Sequence, residues 1–212
     1  MPSNEQSLFG NQLLLRELTH RVNNDFAAAI AIVSLTAART PSKEVRAALA
    51  TVERRLHNYV QVQRCLGVPP TSKSIDASAH LRKLCQSISR ARLDRYGIEL
   101  LFVECPFELE SDRCWSLGMI VSELITRSSR HVFDPGRGKI VVELSRSGSF
   151  ARCRVADNGV CEPKEKLESS SEIVAVLPTS LHGTIERSFG PQRNSSDLIF
   201  PLYPAVTASK QQ

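Results

Sequence analysis

Glu17-Leu18-Thr19-His20-Arg21-Val22-Asn23-Asn24 lies inside an unbroken helical pattern. Leu18 and Val22 join Leu15, Ala29 and Val33 in an apolar stripe spaced by three, four or a multiple of seven. Between Leu8 and Ala38 there is no proline, and the only glycine, Gly10, falls near the start, so the pattern predicts one long helix. Thr40-Pro41-Ser42 breaks it. Val45, Leu49, Val52, Leu56 and Tyr59 then predict a second helix from about Lys43 to Leu66. Two helices joined by so short a break pack as an antiparallel hairpin. A lone hairpin cannot cover stripes on both sides, so the sequence predicts a homodimer that closes a four-helix bundle.

On the first of these helices Glu17, His20 and Asn24 stand at i−3, i and i+4 and share one face. A neutral imidazole beside a carboxylate is a competent nucleophile toward a phosphoryl group. The plainer reading of the same spacing is an exposed histidine with an ordinary charge partner.

Beyond the hairpin the pattern changes. Gly67-Val68-Pro69-Pro70 and Thr71-Ser72-Lys73-Ser74 read as a linker, which gives a helical domain over 1–68, a linker over 69–74, a second domain over 75–204 and a tail over 205–212. In the second domain Asp76 or Ser78 caps a helix running to about Arg95, Gly97 ends it, and Ile98 to Val103 reads as a strand. Ser111 or Asp112 caps a helix with Leu117, Ile120, Val121, Leu124 and Ile125 apolar. Lys139 to Leu144 and Ala151 to Val155 alternate around Ser147-Gly148-Ser149 as a hairpin. A short helix near Glu172 to Leu181 precedes a last hairpin, Thr184 to Phe189 with Asp197 to Leu202. The fold class is therefore α+β: a helical hairpin followed by an α/β two-layer sandwich.

Composition narrows the function classes. The chain has 212 residues, 42% of them hydrophobic and 23% charged, which excludes wholesale disorder and a collagen-like fibre. The net charge is +5, and no basic block is interleaved with aromatics, so nucleic acid is not an expected partner. No run reaches the roughly 18 apolar residues of a membrane span, and MPSNEQSLFG lacks the basic and apolar regions of a secretory signal. The expectation is a cytoplasmic protein without a membrane partner. The six cysteines form no C-x-x-C pair, and no histidine stands at zinc spacing from them, so they read as reduced, mostly buried small hydrophobes and no metal site is expected. Cys161 is a weak candidate for a reactive thiol. Of the other histidines, His57 reads as packed or partly exposed, His80 as a helix-edge residue, and His131 as a charge near a helix C-terminus.

E-L-T-H-R-V-N-N over Glu17 to Asn24 resembles the phosphoacceptor motif of the second histidine-kinase dimerisation class, related to the HWE kinases, usually seen as E-L-x-H-R-V-K-N. Met119-Ile120-Val121-Ser122-Glu123-Leu124-Ile125-Thr126 resembles that family's N box. Arg154-Val155-Ala156-Asp157-Asn158-Gly159 resembles its first glycine box, and Leu181-His182-Gly183-Thr184-Ile185-Glu186 followed by Phe200-Pro201-Leu202 resembles the end of its ATPase fold. The resemblance implies that the second domain has the histidine-kinase ATPase architecture. It also implies a nucleotide site that has decayed. Ser122 and Arg127 stand where the family has asparagines, the second of them a magnesium ligand, and an arginine offers magnesium no oxygen. Cys161 replaces the second glycine of the box, Gly159 keeps the first, and Asp157 keeps the residue that contacts adenine. Glu168 and Ser170 replace glycines around the triphosphate, and Glu168 would repel it.

The function implied is a histidine phosphotransferase similar to the ChpT type, relaying a phosphoryl group between receiver-domain aspartates without ATP. His20 is then the nucleophile, Glu17 its orienting or proton-accepting partner, and Arg16, Arg21 and Asn24 part of the surface that docks receivers. No cofactor belongs to the chain itself, because magnesium comes with the receiver. Two alternatives stay open: a minimal kinase that phosphorylates His20 from ATP, with Glu123 as a substitute metal ligand, and a non-enzymatic dimeric scaffold that binds a response regulator.

Overall fold

A computed structural model describes residues 3–67, 74–131, 133–134, 136–160, 172–190 and 193–203, the side chains of 3–16 and 172–175 excepted. Contacts divide the chain into two compact units, Met1–Pro70 and Thr71–Gln212.

The first unit is the hairpin of α1 (Ser3–Arg39) and α2 (Lys43–Cys65). α1 starts at Ser3 rather than near Leu8. Between the helices Ser42 caps α2 by accepting from the Val45 N–H at 3.2 Å, and the Arg46 guanidinium closes the break on the Thr40 carbonyl at 2.9 Å. The Ser42 hydroxyl also donates to Glu44 at 2.7 Å and holds that carboxyl below its ordinary range. Ser34 donates to Glu53 across the helices at 2.6 Å, and Thr19 lies opposite Gly67, which fixes the antiparallel register.

The seam that α1 shares with α2 is Thr19, Asn23, Phe26, Ile30, Val33 and Ala37, all half-buried at heptad spacing. It lies about one residue round the helix from the stripe the sequence suggests. Leu18 and Val22 face outward with 57% and 40% exposure, and Ile32 and Leu35 with 65% and 56%. Val45 and Val52 do the same on α2. The hairpin thus covers a mixed polar seam within itself and leaves much of its apolar stripe facing out.

The second unit is the two-layer sandwich. Asp76 caps α3 (Ala77–Ile88), as expected, by accepting from the Ala79 N–H at 3.1 Å. The helix does not run on to Arg95 as an α-helix. It widens into a π turn over Ser89–Leu93, tightens into a 3₁₀ turn over Asp94–Tyr96 and ends at Gly97, whose φ of +67° is the left-handed cap. β2 (Glu99–Val103) follows. α4 (Ser111–Ser128) enters from Glu110, which makes no side-chain cap, rather than from a Ser111 or Asp112 cap. β4 (Lys139–Ser147) and β5 (Phe150–Asp157) turn at Gly148, with φ +58°. α5 (Glu172–Ser180), β6 (Thr184–Phe189) and β7 (Asn194–Pro201) complete the unit.

The main sheet runs β2-β4-β5-β7-β6, with β2 parallel to β4 and the other pairs antiparallel. β1 (Ser74–Asp76) and β3 (Glu108–Glu110) form a separate antiparallel pair that sequence patterning did not predict, since three residues carry no alternation to read. Ile140, Val142 and Leu144 of β4 and Ala151, Cys153 and Val155 of β5 are buried beneath Leu117, Ile120, Val121, Leu124 and Ile125 of α4, and Leu81, Leu84 and Ile88 of α3 are buried with them. Cys85, Cys114 and Cys153 pack into this core, where burial pushes the first two thiols up to about 12 and the third also upward, so they act as small hydrophobes. Arg113, at the start of α4, is buried and donates to the carbonyls of Leu202 at 2.6 Å, Leu181 at 3.2 Å and Pro201 at 2.5 Å. One guanidinium thereby ties α4 to the end of β7 and to the turn after α5.

Candidate functional site

His20 is exposed on α1, with Glu17, Arg21 and Asn24 exposed around it. The carboxylate that spacing assigns to His20 is engaged elsewhere: Glu17 accepts from Arg21 Nε at 2.9 Å. A guanidinium one turn further on is a permanent charge with a planar fork and outcompetes an imidazole for that carboxylate. The ring instead meets Asn24, whose Nδ2 lies 3.2 Å from His20 Nδ1. The amide can donate to a bare Nδ1 or, turned over, accept a proton from Nδ1 through its oxygen. The second arrangement leaves the lone pair on Nε2. Arg16 lies on α1 one turn before His20, and its side chain falls outside the described residues. Asn23 points the other way, into the seam with α2, where its Oδ1 is buried without a hydrogen-bond partner among the described residues.

In the second unit Ser122 is buried on α4. Glu123 and Arg127, one turn apart, are both about one-fifth exposed and bonded Nε to Oε1 at 3.2 Å. Arg187 of β6 stands on the helix-facing side of the sheet beside them: burial and the like charge of Arg127 push its guanidinium down, and Glu123 opposes them. Sequence reading passed over Arg187, yet strand alternation from the half-buried Ile185 would have turned it inward.

Asp157 ends β5 and is buried. Its Oδ1 meets three groups: His131 Nδ1 at 2.9 Å, the Gly159 N–H at 3.0 Å and Asn194 Nδ2 at 2.9 Å. Asn194 also donates to the Gly159 carbonyl at 2.7 Å. His131 thus serves this cluster rather than a helix end. Asn194, on the adjoining strand, carries no motif that sequence reading could have used. Gly159 has no room for a side chain, since a Cβ there would lie 2.6 Å from His131 Cβ and 3.0 Å from the Phe133 ring. Asn158 closes the turn by accepting from the Lys139 N–H at 2.7 Å and donating to the Arg137 carbonyl at 2.8 Å. Cys161, Glu168 and Ser170 lie outside the described residues.

Arg127 and Glu123 do not fit a magnesium ion. The position that would supply an oxygen ligand holds a guanidinium, which offers only N–H donors and the same sign of charge as the ion. The carboxylate one turn before it, Glu123, is already paired to it. Among the described residues no group of three or more His, Cys, Asp or Glu could hold a metal. No described helix is long and apolar enough to cross a membrane.

Residues 17–92 match the HisKA_2 histidine kinase family. Over 195 residues the chain is 28% identical to the sensor histidine kinase PdtaS of Mycobacterium tuberculosis, a match that covers 88% of this chain and 38% of that protein. The chain thus spans well under half the length of that relative. In fold it is similar to the histidine kinase domain of the Erythrobacter litoralis EL346 blue-light activated histidine kinase, with a TM-score of 0.58 and 20% identity over 90% of this chain and 94% of that one. It is similar also to a bacterial phosphotransferase, with a TM-score of 0.62 and 13% identity over 89% of this chain and 95% of that one. The α+β architecture read from the sequence is the one observed, and the chain is similar to histidine kinases in sequence over residues 17–92 and in fold.

Proposed function

We propose that the protein is a histidine phosphotransferase, in which His20 accepts a phosphoryl group from the aspartyl phosphate of one receiver domain and passes it to another. The observation that carries this reading is the contrast between an exposed imidazole and a guanidinium–carboxylate pair where a kinase would bind metal. In the transfer, the bond from phosphorus to the aspartyl oxygen breaks, the carboxylate leaves with its electron pair, and the lone pair on His20 Nε2 forms the new bond to phosphorus. Catalysis of such a step is mostly positioning and charge. With its amide turned over, so that Oδ1 accepts from the Nδ1 proton, Asn24 holds the ring in the tautomer that leaves Nε2 bare, the one this transfer requires. Glu17 and Arg21 form a neutral pair beside the ring, and Glu17 acts on the docking surface rather than on the imidazole. The outward Leu18, Val22, Ile32, Val45 and Val52 support a homodimer closed as a four-helix bundle.

A second reading is favoured by the relative named a sensor histidine kinase and by the retained Asp157: self-phosphorylation of His20 from ATP. One experiment separates them. The protein is incubated first with labelled ATP and magnesium, then with a phosphorylated receiver. Label that reaches His20 only from the receiver supports the relay, and label from ATP overturns it. A receiver bound tightly without any transfer leaves a scaffold.

A further inference from the structure

Arg21 follows His20 on α1, and on a helix both side chains lean toward the preceding turn, where Glu17 stands three residues before one and four before the other. The bond between Glu17 and Arg21 uses the guanidinium Nε, at 2.9 Å from the carboxylate. Both Nη groups of Arg21 meet no partner among the described residues, and Asp25, the acidic residue one turn further on, makes no bond to it. The Arg21 and Glu17 side chains are 71% and 55% exposed, so the pair is open to a group that approaches the ring.

We infer that Arg21 receives the phosphoryl group: its Nη donors take the phosphoryl oxygens as the bond to His20 Nε2 forms, and Glu17 is the positioning residue that holds the guanidinium beside the ring. The inference rests on the reading of His20 as the phosphoacceptor. Charge carries it further than docking alone would. A phosphoryl group brings between one and two negative charges to the ring, by analogy with other phosphorylated side chains. A bare carboxylate one turn away would repel it, and an untethered arginine would lose side-chain freedom on reaching it. The pair removes both obstacles. The guanidinium neutralises Glu17, and because Nε is the tethered atom, the edge formed by the two Nη groups stays open. That edge is a planar fork, the shape that binds two oxygens of one phosphate at once. Asn24 meets the ring at Nδ1, so the two neighbours divide the imidazole: Asn24 serves one nitrogen and Arg21 the group carried by the other.

The test uses the full chain and phosphoramidate, a small donor with no protein surface to dock. The Nε2 lone pair forms the bond to phosphorus while the bond from phosphorus to the donor's ammonium nitrogen breaks, and ammonia leaves with that electron pair. Phosphorus NMR follows the product, and the signal that His20→Gln lacks is the one on His20. Arg21→Gln is expected to accept the group about tenfold more slowly. It also raises the midpoint of the phosphoryl group's last ionisation by about half a unit, since a cation that favours the doubly charged form has gone. Glu17→Gln accepts about twofold faster, and the double variant Glu17→Gln, Arg21→Gln recovers part of what Arg21→Gln loses, because no unpaired carboxylate is left beside the ring. Arg21→Lys keeps the charge without the fork and falls between wild type and Arg21→Gln. Phosphorylation of Arg21→Gln at the wild-type rate, or a midpoint that does not move, overturns the proposal and leaves His20 as the phosphoacceptor. So does equal slowing in Glu17→Gln and Arg21→Gln, which would make the intact ion pair, and not the guanidinium, the working unit. A spectrum with no signal specific to His20 overturns both readings.

Discussion

The two units treat their polar side chains in opposite ways. On α1 the groups proposed to carry the transfer stand in solvent: His20 touches one neighbouring amide, and Glu17 and Arg21 pair with each other. In the sandwich the corresponding groups are built into the fold: Asp157 is shared by His131, Asn194 and the Gly159 N–H, and Glu123 is closed by Arg127. The first arrangement leaves the proposed nucleophile where a large partner can approach. The second converts residues suited to a small ligand into cross-links between strand, helix and turn. Polar groups that satisfy each other in this way hold a domain together whether or not a ligand is bound.

Substitution should separate the two behaviours. The largest effect is expected at His20: His20→Gln abolishes phosphoryl acceptance from a receiver, while thermal unfolding shifts by no more than about 0.5 kcal/mol, because the site is exposed. Retained label in the variant assigns the nucleophile elsewhere. Next, Val22→Glu places a charge in the seam of the proposed dimer and should convert it to monomer at micromolar concentration. Light scattering reads the mass, and a dimer that persists means the bundle closes on another face. Arg113→Met leaves three carbonyls of the sandwich without their donor and should cost about 3 kcal/mol in urea unfolding, with transfer to His20 unchanged in the folded fraction. Asp157→Ala should cost about 2 kcal/mol by orphaning buried donors and leave receiver-dependent transfer intact. A variant as stable as wild type would show Asp157 idle in the fold and reopen its role in a nucleotide site.

The smallest effect is a pH trend. His80, half-buried on α3, has its Nε2 buried without a hydrogen-bond partner among the described residues and pressed toward Gly118 of α4. Burial, helped by Lys83, pushes its proton affinity below the ordinary value of 6.5. The unfolded chain therefore takes up a proton before the folded one does. The contribution is fully present above about pH 6.5 and is lost as the pH falls below it. Urea midpoints at neutral pH and at about pH 5.5 should draw apart less in His80→Gln than in wild type.

Much of this was legible in the sequence where long periodic segments dominate. Leu117, Ile120, Val121, Leu124 and Ile125 marked α4, and alternation from Lys139 to Leu144 marked β4. Reading failed where tertiary context chose among equal local options. Leu18 and Val22 fit a helical stripe, but packing against α2 selected Thr19 and Asn23 for the seam. The π turn after Ile88 has no side-chain signature, and the β1–β3 pair is too short to show one. At the site, spacing placed Glu17 on the face of His20 but could not weigh Arg21 against the imidazole. The partners of Asp157 come from residues as far apart in sequence as His131 and Asn194, and no local pattern joins them.

The sheet order has a consequence for how the chain is made. β7 is the last of the described strands to leave the ribosome, yet it lies between β5 and β6, pairing eight of its residues with the first and six with the second. Until it arrives β6 has no neighbour to join, and Arg113 waits for the carbonyls of Pro201 and Leu202. The hairpin of α1 and α2 can close while synthesis continues, but the sandwich cannot. A nonsense or frameshift change that removes the chain beyond about residue 190 should therefore spare the helical hairpin and deliver it attached to an unclosed sheet, a substrate for proteolysis rather than a shortened working protein.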